Sequence, residues 1–166
     1  MVSANDRLEV DGDWTRGGSG TFTPGSGTVA MTNPSGLVTL NNGTSAFNDL
    51  EINAVGTVQT ASNTNVSNDF TIVTGTFDVT NSDFDLTVGN DFSNSGTFLA
   101  RSGTLIMNSA TAGTRVIDAG GSSLFELDIN GGASTVFEIT NNDLTVSNDI
   151  QVLAGTLDLN SEERDM

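Results

Sequence analysis

Leu86-Thr87-Val88-Gly89-Asn90-Asp91-Phe92-Ser93-Asn94-Ser95-Gly96-Thr97-Phe98 is the stretch on which the fold of this chain is read. Its apolar residues alternate with polar ones over short runs, and Gly, Asn and Ser interrupt them. That is the pattern of strands and turns. The same wording recurs in Leu8-Glu9-Val10-Asp11-Gly12-Asp13-Trp14 and in Leu144-Thr145-Val146-Ser147-Asn148-Asp149-Ile150, with a shorter copy in Asn65-Val66-Ser67-Asn68-Asp69-Phe70. The valines of the four copies are Val10, Val66, Val88 and Val146, so the steps between them are 56, 22 and 58.

Two further motifs share this frame. Gly-Thr followed by an apolar residue begins at Gly20, Gly27, Gly56, Gly75, Gly96, Gly103 and Gly155. One shift carries Gly20 and Gly27 onto Gly96 and Gly103, and nearly the same shift carries Gly75 onto Gly155. Leu50-Glu51-Ile52-Asn53 matches Leu127-Asp128-Ile129-Asn130 at a similar distance. The expected organisation is one repeat domain over 1–166, built of two units of about 78 residues, approximately 8–85 and 86–160. A step of 22, and steps near three times that, match the turn of a β-solenoid.

The fold expected is therefore all-β, a parallel β-solenoid of about eight coils. A β-sandwich is the alternative, with hairpin turns at Asp11-Gly12, Asn42-Gly43 and Asn130-Gly131. In a solenoid, equivalent positions stack, so Trp14, Phe70, Phe92 and Ile150 are expected to form a ladder in the core. No stretch of ten or more residues carries a helical apolar stripe.

Composition removes whole classes of chemistry. The 166 residues include no Cys, His, Lys or Tyr. Thiolate and imidazole ligands, Schiff bases and the commonest general base go with them. Twenty-one acids face five arginines, for a net charge of −16. Such a surface repels phosphate backbones, so nucleic acid is excluded as a partner. No run approaches the ~20 apolar residues that span a bilayer, so membrane insertion is excluded too. Divalent cations remain compatible with this charge.

Each candidate site has a simpler explanation beside it. The Asp that closes each repeat motif (Asp13, Asp69, Asp91 and Asp149) offers stacked carboxylates of the kind that hold calcium. An Asp bonded to its own turn backbone explains the same pattern, and one carboxylate per coil is sparse. Calcium is thus the one cofactor to test, and no metal ligand is assigned. Asp83 and Asp85 on a strand would share a face about 6 to 7 Å apart, within the range of a glycosidase pair. Asp85 has a repeat partner in Asp143, however, and no companion His, Lys or Tyr exists. Trp14 as a sugar platform has equivalents that include Ile150, so packing is the better account. A threonine array fails because, of the seven Gly-Thr motifs, only the one at Gly20 has a second threonine two residues beyond its own, Thr23 after Thr21. Arg16, Arg101 and Arg115 are scattered and are expected to pair locally with acids. No catalytic or cofactor-binding residue is assigned, and the chain is not expected to be an enzyme.

Leu86 to Phe98, with Ser102-Gly103-Thr104-Leu105-Ile106-Met107-Asn108 and Asp149 to Leu159, resembles a repeat of large bacterial cell-surface proteins. These are the β-solenoid stalks of filamentous-haemagglutinin-like and autotransporter-like adhesins, and the resemblance covers about Leu8 to Asn160. It implies secretion, an extracellular or cell-surface location, and a role as rod, spacer, fibre or adhesive shaft. It carries no catalytic residue. The opening Met1-Val2-Ser3-Ala4-Asn5-Asp6 lacks the parts of a signal peptide, so a piece of a longer protein is the expectation. Two other functions stay open: a carbohydrate-binding or carbohydrate-cleaving β-helix, and a calcium-dependent surface-layer or filament component. The partners expected are the chain itself or flanking repeats, by end-to-end stacking of coils, with glycans or other surface proteins on the outer face.

Overall fold

The structure is a computed structural model that describes residues 6–141 and 143–159. Residues 1–5, 142 and 160–166, and with them both limits of the expected domain, lie outside the described residues. Strands β1 (Arg7–Val10) and β2 (Trp14–Thr15) form the first turn. Strands β3 (Thr28–Met31), β4 (Leu37–Asn41) and β5 (Ala46–Phe47) follow, then β6 (Asp49–Thr60), β7 (Thr64–Val66), β8 (Phe70–Asp78) and β9 (Leu86–Val88). The second half holds β10 (Phe92–Asn94), β11 (Thr97–Leu99), β12 (Thr104–Met107), β13 (Gly113–Asp118) and β14 (Glu126–Asn130). Strands β15 (Thr135–Ile139), β16 (Ile150–Ala154) and β17 (Thr156–Asp158) close it.

Every strand pairing among the described residues is parallel, which is incompatible with the antiparallel sandwich. An eleven-stranded sheet runs along β1-β3-β6-β8-β10-β13-β15-β17 with β2, β4 and β11 beside this path. A six-stranded sheet runs along β5-β7-β9-β12-β14-β16. The described residues form a parallel β-solenoid of about seven turns, where about eight coils were expected for the whole chain. At ~4.8 Å per turn the rod is on the order of 35 Å long.

Inward residues form continuous ladders. Leu8, Val29, Leu50, Phe70, Phe92 and Ile117 follow one another in register along the larger sheet. Phe70 and Phe92 are both fully buried and their rings stack at 5.8 Å, 13° from parallel. The other two members of the expected ladder are elsewhere. Trp14 pairs with Leu40, and Ile150 pairs with Leu127 in the smaller sheet and is 51% exposed.

The displacement has a geometric cause. Register partners are one coil apart, and the coils differ in length: Phe47 pairs with Val66, whereas Trp14 pairs with the more distant Leu40. The repeat unit that begins at Leu8 therefore ends between three and four turns, and the unit that begins at Leu86 starts on a different face. Leu8-Val29-Leu50-Phe70 are register neighbours in the larger sheet. Their sequence equivalents Leu86-Leu105-Leu127-Ile150 are register neighbours in the smaller one. Equivalent residues keep equivalent partners while the sheet they belong to changes.

The Gly-Thr motif marks a corner where coils touch through backbone. A Cβ on Gly56 would strike the backbone of Gly36, one on Gly75 the backbone of Ala54 and Gly56, and one on Gly96 the backbone of Gly75. Gly75 also has a φ of 84°, which only glycine adopts without strain.

Candidate functional site

Six aspartates accept backbone N–H groups of the neighbouring coil with one polarity along the rod. A carboxylate oxygen of Asp13 accepts the Thr39 backbone N–H at 2.7 Å, and Asp49 accepts that of Asp69 at 3.1 Å. Asp69 accepts from Asp91 at 3.2 Å, and Asp91 from Val116 at 2.9 Å. Asp83 accepts from Ser102 at 3.0 Å, and Asp85 from Thr104 at 3.1 Å. In all six the acid sits on one coil and the donor on the next coil toward the C-terminus. An ionised carboxylate is acceptor-only and binds an N–H more strongly than a neutral oxygen does, so it serves these amides in place of a backbone carbonyl.

Asn-Asp dipeptides strengthen the same bond. Asn68 Nδ2 donates to Asp49 at 2.6 Å, and Asn90 Nδ2 to Asp69 at 2.6 Å. Asn148 Nδ2 donates to Glu126 at 2.7 Å. Each carboxylate of this column thus fixes side chain and, at Asp49 and Asp69, backbone of the coil that follows. Asp49 was not among the sequence candidates, although the recurring Asn-Asp pair at 48–49, 68–69, 90–91 and 148–149 marks it.

The expected sites fall out as follows. Asp13, Asp69 and Asp91 bind the backbone of the next coil, where the sequence suggested calcium or the residue's own turn. Asp149 lies exposed on the last coil. Among the described residues, no group of three or more acids is placed to hold a metal ion. Asp83 and Asp85 are on no strand: they lie in the connection between β8 and β9, with Asp83 at a φ of 55°, and each serves a different amide. The shared strand face assumed for a glycosidase pair does not exist. Trp14 is partly buried, its Nε1 donates to Asn42 Oδ1 at 3.1 Å, and it meets Phe22 edge-on at 4.8 Å. Beside it an open cleft is lined by Asp13, Thr15, Arg16, Gly20 and Phe22.

Of the three arginines named from sequence, Arg101 is the one that pairs with an acid among the described residues. Its guanidinium binds Asp78 through two hydrogen bonds, at 2.9 and 2.8 Å. The Asp78 side chain is 4% exposed. The Arg101 hydrogen bonds hold the Asp78 carboxyl below the usual carboxylate range, against the effect of burial. Arg16 donates instead to the carbonyls of Asn42 and Gly20, and Arg115 to Ser109 Oγ and the Thr114 carbonyl. Arg7 reaches across a coil to Glu51 at 2.6 and 2.8 Å, over Ala30, which stands between Glu9 and Glu51 in register and is fully buried. That contact depresses the Glu51 carboxyl. Burial, with the charges of Glu126 and Asp85, raises Asp128.

These features define a parallel β-solenoid whose aspartates fasten each coil to the next. Comparison with protein-family models, with curated protein sequences and with solved structures finds no match.

Proposed function

We propose that the chain is a structural module, a rod or spacer of a secreted or cell-surface protein, whose outer face is available for adhesion. The observation that supports this reading is the polarity of the aspartates. Six of them hold the backbone of the following coil, so the main reactive side chains of the molecule act in maintaining its length. A reaction needs groups that converge on one point in space. Here the carboxylates are distributed along the axis, one after another. The resemblance of Leu86–Phe98 to adhesin stalks supports the extracellular setting.

The reading is tested by incubating the chain with acidic and neutral polysaccharides and measuring reducing-sugar release, alongside binding to a glycan array. Glycan binding without turnover is expected if the outer face is adhesive, and sustained turnover would overturn the structural reading. Melting in calcium and in chelator separates the calcium-dependent version. Equal midpoints are expected, whereas a rise of several degrees in calcium would show a bound ion stabilising the fold.

A further inference from the structure

We propose that copies of this chain associate head to tail, with the first coil of one copy seated on the last coil of another in a register already present inside the chain. The inference deepens the rod reading and rests on it in one respect: the ends of the rod are its interfaces.

Among the described residues seven partly buried apolar side chains pack against the core, and six of them lie at the two ends. Val10, Trp14 and Phe22 belong to the first coil, and Leu144, Val146 and Leu157 to the last. Next to them Leu8 is 50% exposed and Ile150 51%. Among the described residues Leu8, Val10, Trp14, Val146, Ile150 and Leu157 have a strand partner on one side alone.

The middle of the chain shows what completes them. There Leu86 and Val88 pair with Thr64 and Val66, Phe92 with Phe70, and Phe98 with Phe77. The four phenylalanines form a closed box, with ring centroids 4.9 to 6.0 Å apart. The repeat places Trp14 and Phe22 where Phe92 and Phe98 stand, and Ile150 and Leu157 where Phe70 and Phe77 stand. Trp14 and Phe22 already have the edge-on contact of Phe92 and Phe98, at 4.8 Å against 5.6 Å. One end therefore carries the upper half of the box and the other end its lower half. The cleft beside Trp14 is the counterpart of the seat that β8 fills in the middle.

The same correspondence predicts the backbone bonds. Phe70 N–H donates to the Asp91 carbonyl, and Asp69 accepts the Asp91 N–H. At the junction Ile150 N–H would donate to the Asp13 carbonyl, and Asp149 would accept the Asp13 N–H. Unpaired strand edges with apolar faces are templates for such pairing. The loop 15–20 is longer than its counterpart 93–96, so Trp14 and not the loop behind it sets the register. Both ends are acidic, with Asp143, Asp149 and Asp158 on one and Glu9, Asp11 and Asp13 on the other. Association should strengthen as the Debye length falls from ~30 Å at 0.01 M salt to ~8 Å at 0.15 M.

The chain has no cysteine, so a pair can report the register. Thr15 and Gln151 are exposed, and their counterparts Ser93 and Thr71 are direct register partners, at a spacing a disulfide bridges. Oxidation of the Thr15→Cys/Gln151→Cys variant at about 0.15 M salt, where screening is strong, should give a ladder of covalent multimers on a non-reducing gel. Adding Ile150→Asp should abolish the ladder, with the circular dichroism of the rod retained. Light scattering of the unmodified chain should show a mass that rises with concentration and with salt. A folded double-cysteine variant that stays monomeric, or Gln151→Cys alone cross-linking as well as the pair, would overturn the proposal. The first result leaves the rod reading intact, whereas polysaccharide turnover would remove the rod reading without touching the assembly.

Discussion

Leu127 and Ile150 are neighbours in one ladder, in direct register in the same sheet. Leu127 is fully buried and Ile150 is half exposed. Side-chain chemistry does not explain the difference, because both are large aliphatics. What differs is that Leu127 has Leu105 on one side and Ile150 on the other, while Ile150 has a described neighbour on one side alone. In a solenoid, burial belongs to a position between two coils, and the energetic value of a residue falls at the end of the stack.

Substitutions made in pairs, one in the middle and one at an end, turn this contrast into measurements. The largest difference is expected for Phe92→Ala against Ile150→Ala. The first empties a position packed by Phe70 and Phe98 and should cost about 3–5 kcal/mol. The second should cost about 1 kcal/mol or less, because half the side chain is already in water. Denaturant melts at low protein concentration check both. Equal losses would mean that Ile150 is covered in solution.

Glycines give the next contrast. Gly75→Ala combines a positive φ with a backbone collision between coils and should cost about 1–3 kcal/mol. Gly12→Ala, in the first coil with open space around its Cα, should be neutral or raise stability by about 0.4–1 kcal/mol. Thermal unfolding of the two variants reads the difference directly.

The aspartate pair comes third. Asp91→Ala leaves the Val116 N–H of the next coil without its acceptor and should cost about 1–2 kcal/mol. Asp149→Ala should stay within about ±0.5 kcal/mol in the monomer. A loss at Asp149 as large as at Asp91 would indicate that Asp149 already holds another coil.

The smallest effects are those of pH. Asp78 and Glu51 have depressed carboxyls, so their ion pairs stabilise the fold fully above the ordinary carboxylate range and lose that contribution as pH falls through their lowered folded values. Asp78→Asn should make the acid limb of the stability profile shallower. Asp128 runs the other way: its raised carboxyl favours the protonated form in the fold, and that contribution is lost as pH rises. Asp128→Asn should therefore raise Tm at neutral pH, with the gain vanishing at low pH. A profile that Asp128→Asn leaves unchanged at both pH values would separate this residue from Glu126 and Asp85.

Much of the fold was legible because its signals are local. Alternation in Leu86-x-Val88 and Leu105-x-Met107 announced strands, and the step from Val66 to Val88 announced the coil. The members of a ladder were less legible. Trp14 and Ile150 look equivalent to Phe92 and Phe70 in the sequence, yet a repeat that ends between three and four turns puts them on other faces. The carboxylates were legible as a regular series and not as to partner. The residues that Asp69 and Asp91 hold lie 22 and 25 positions away, beyond the range of a local turn motif.

By itself the sequence determined the all-β composition and the repeat spacing and favoured the parallel coil over the sandwich, because strand alternation, turn residues and repeat spacing are properties of neighbouring residues. The tertiary structure decided which sheet each unit joins, which coil each acid fastens and which ladder residues fall in the first and last described coils. Those outcomes depend on how the long repeat divides into coils of unequal length, a division that is fixed only when the chain closes each turn in space.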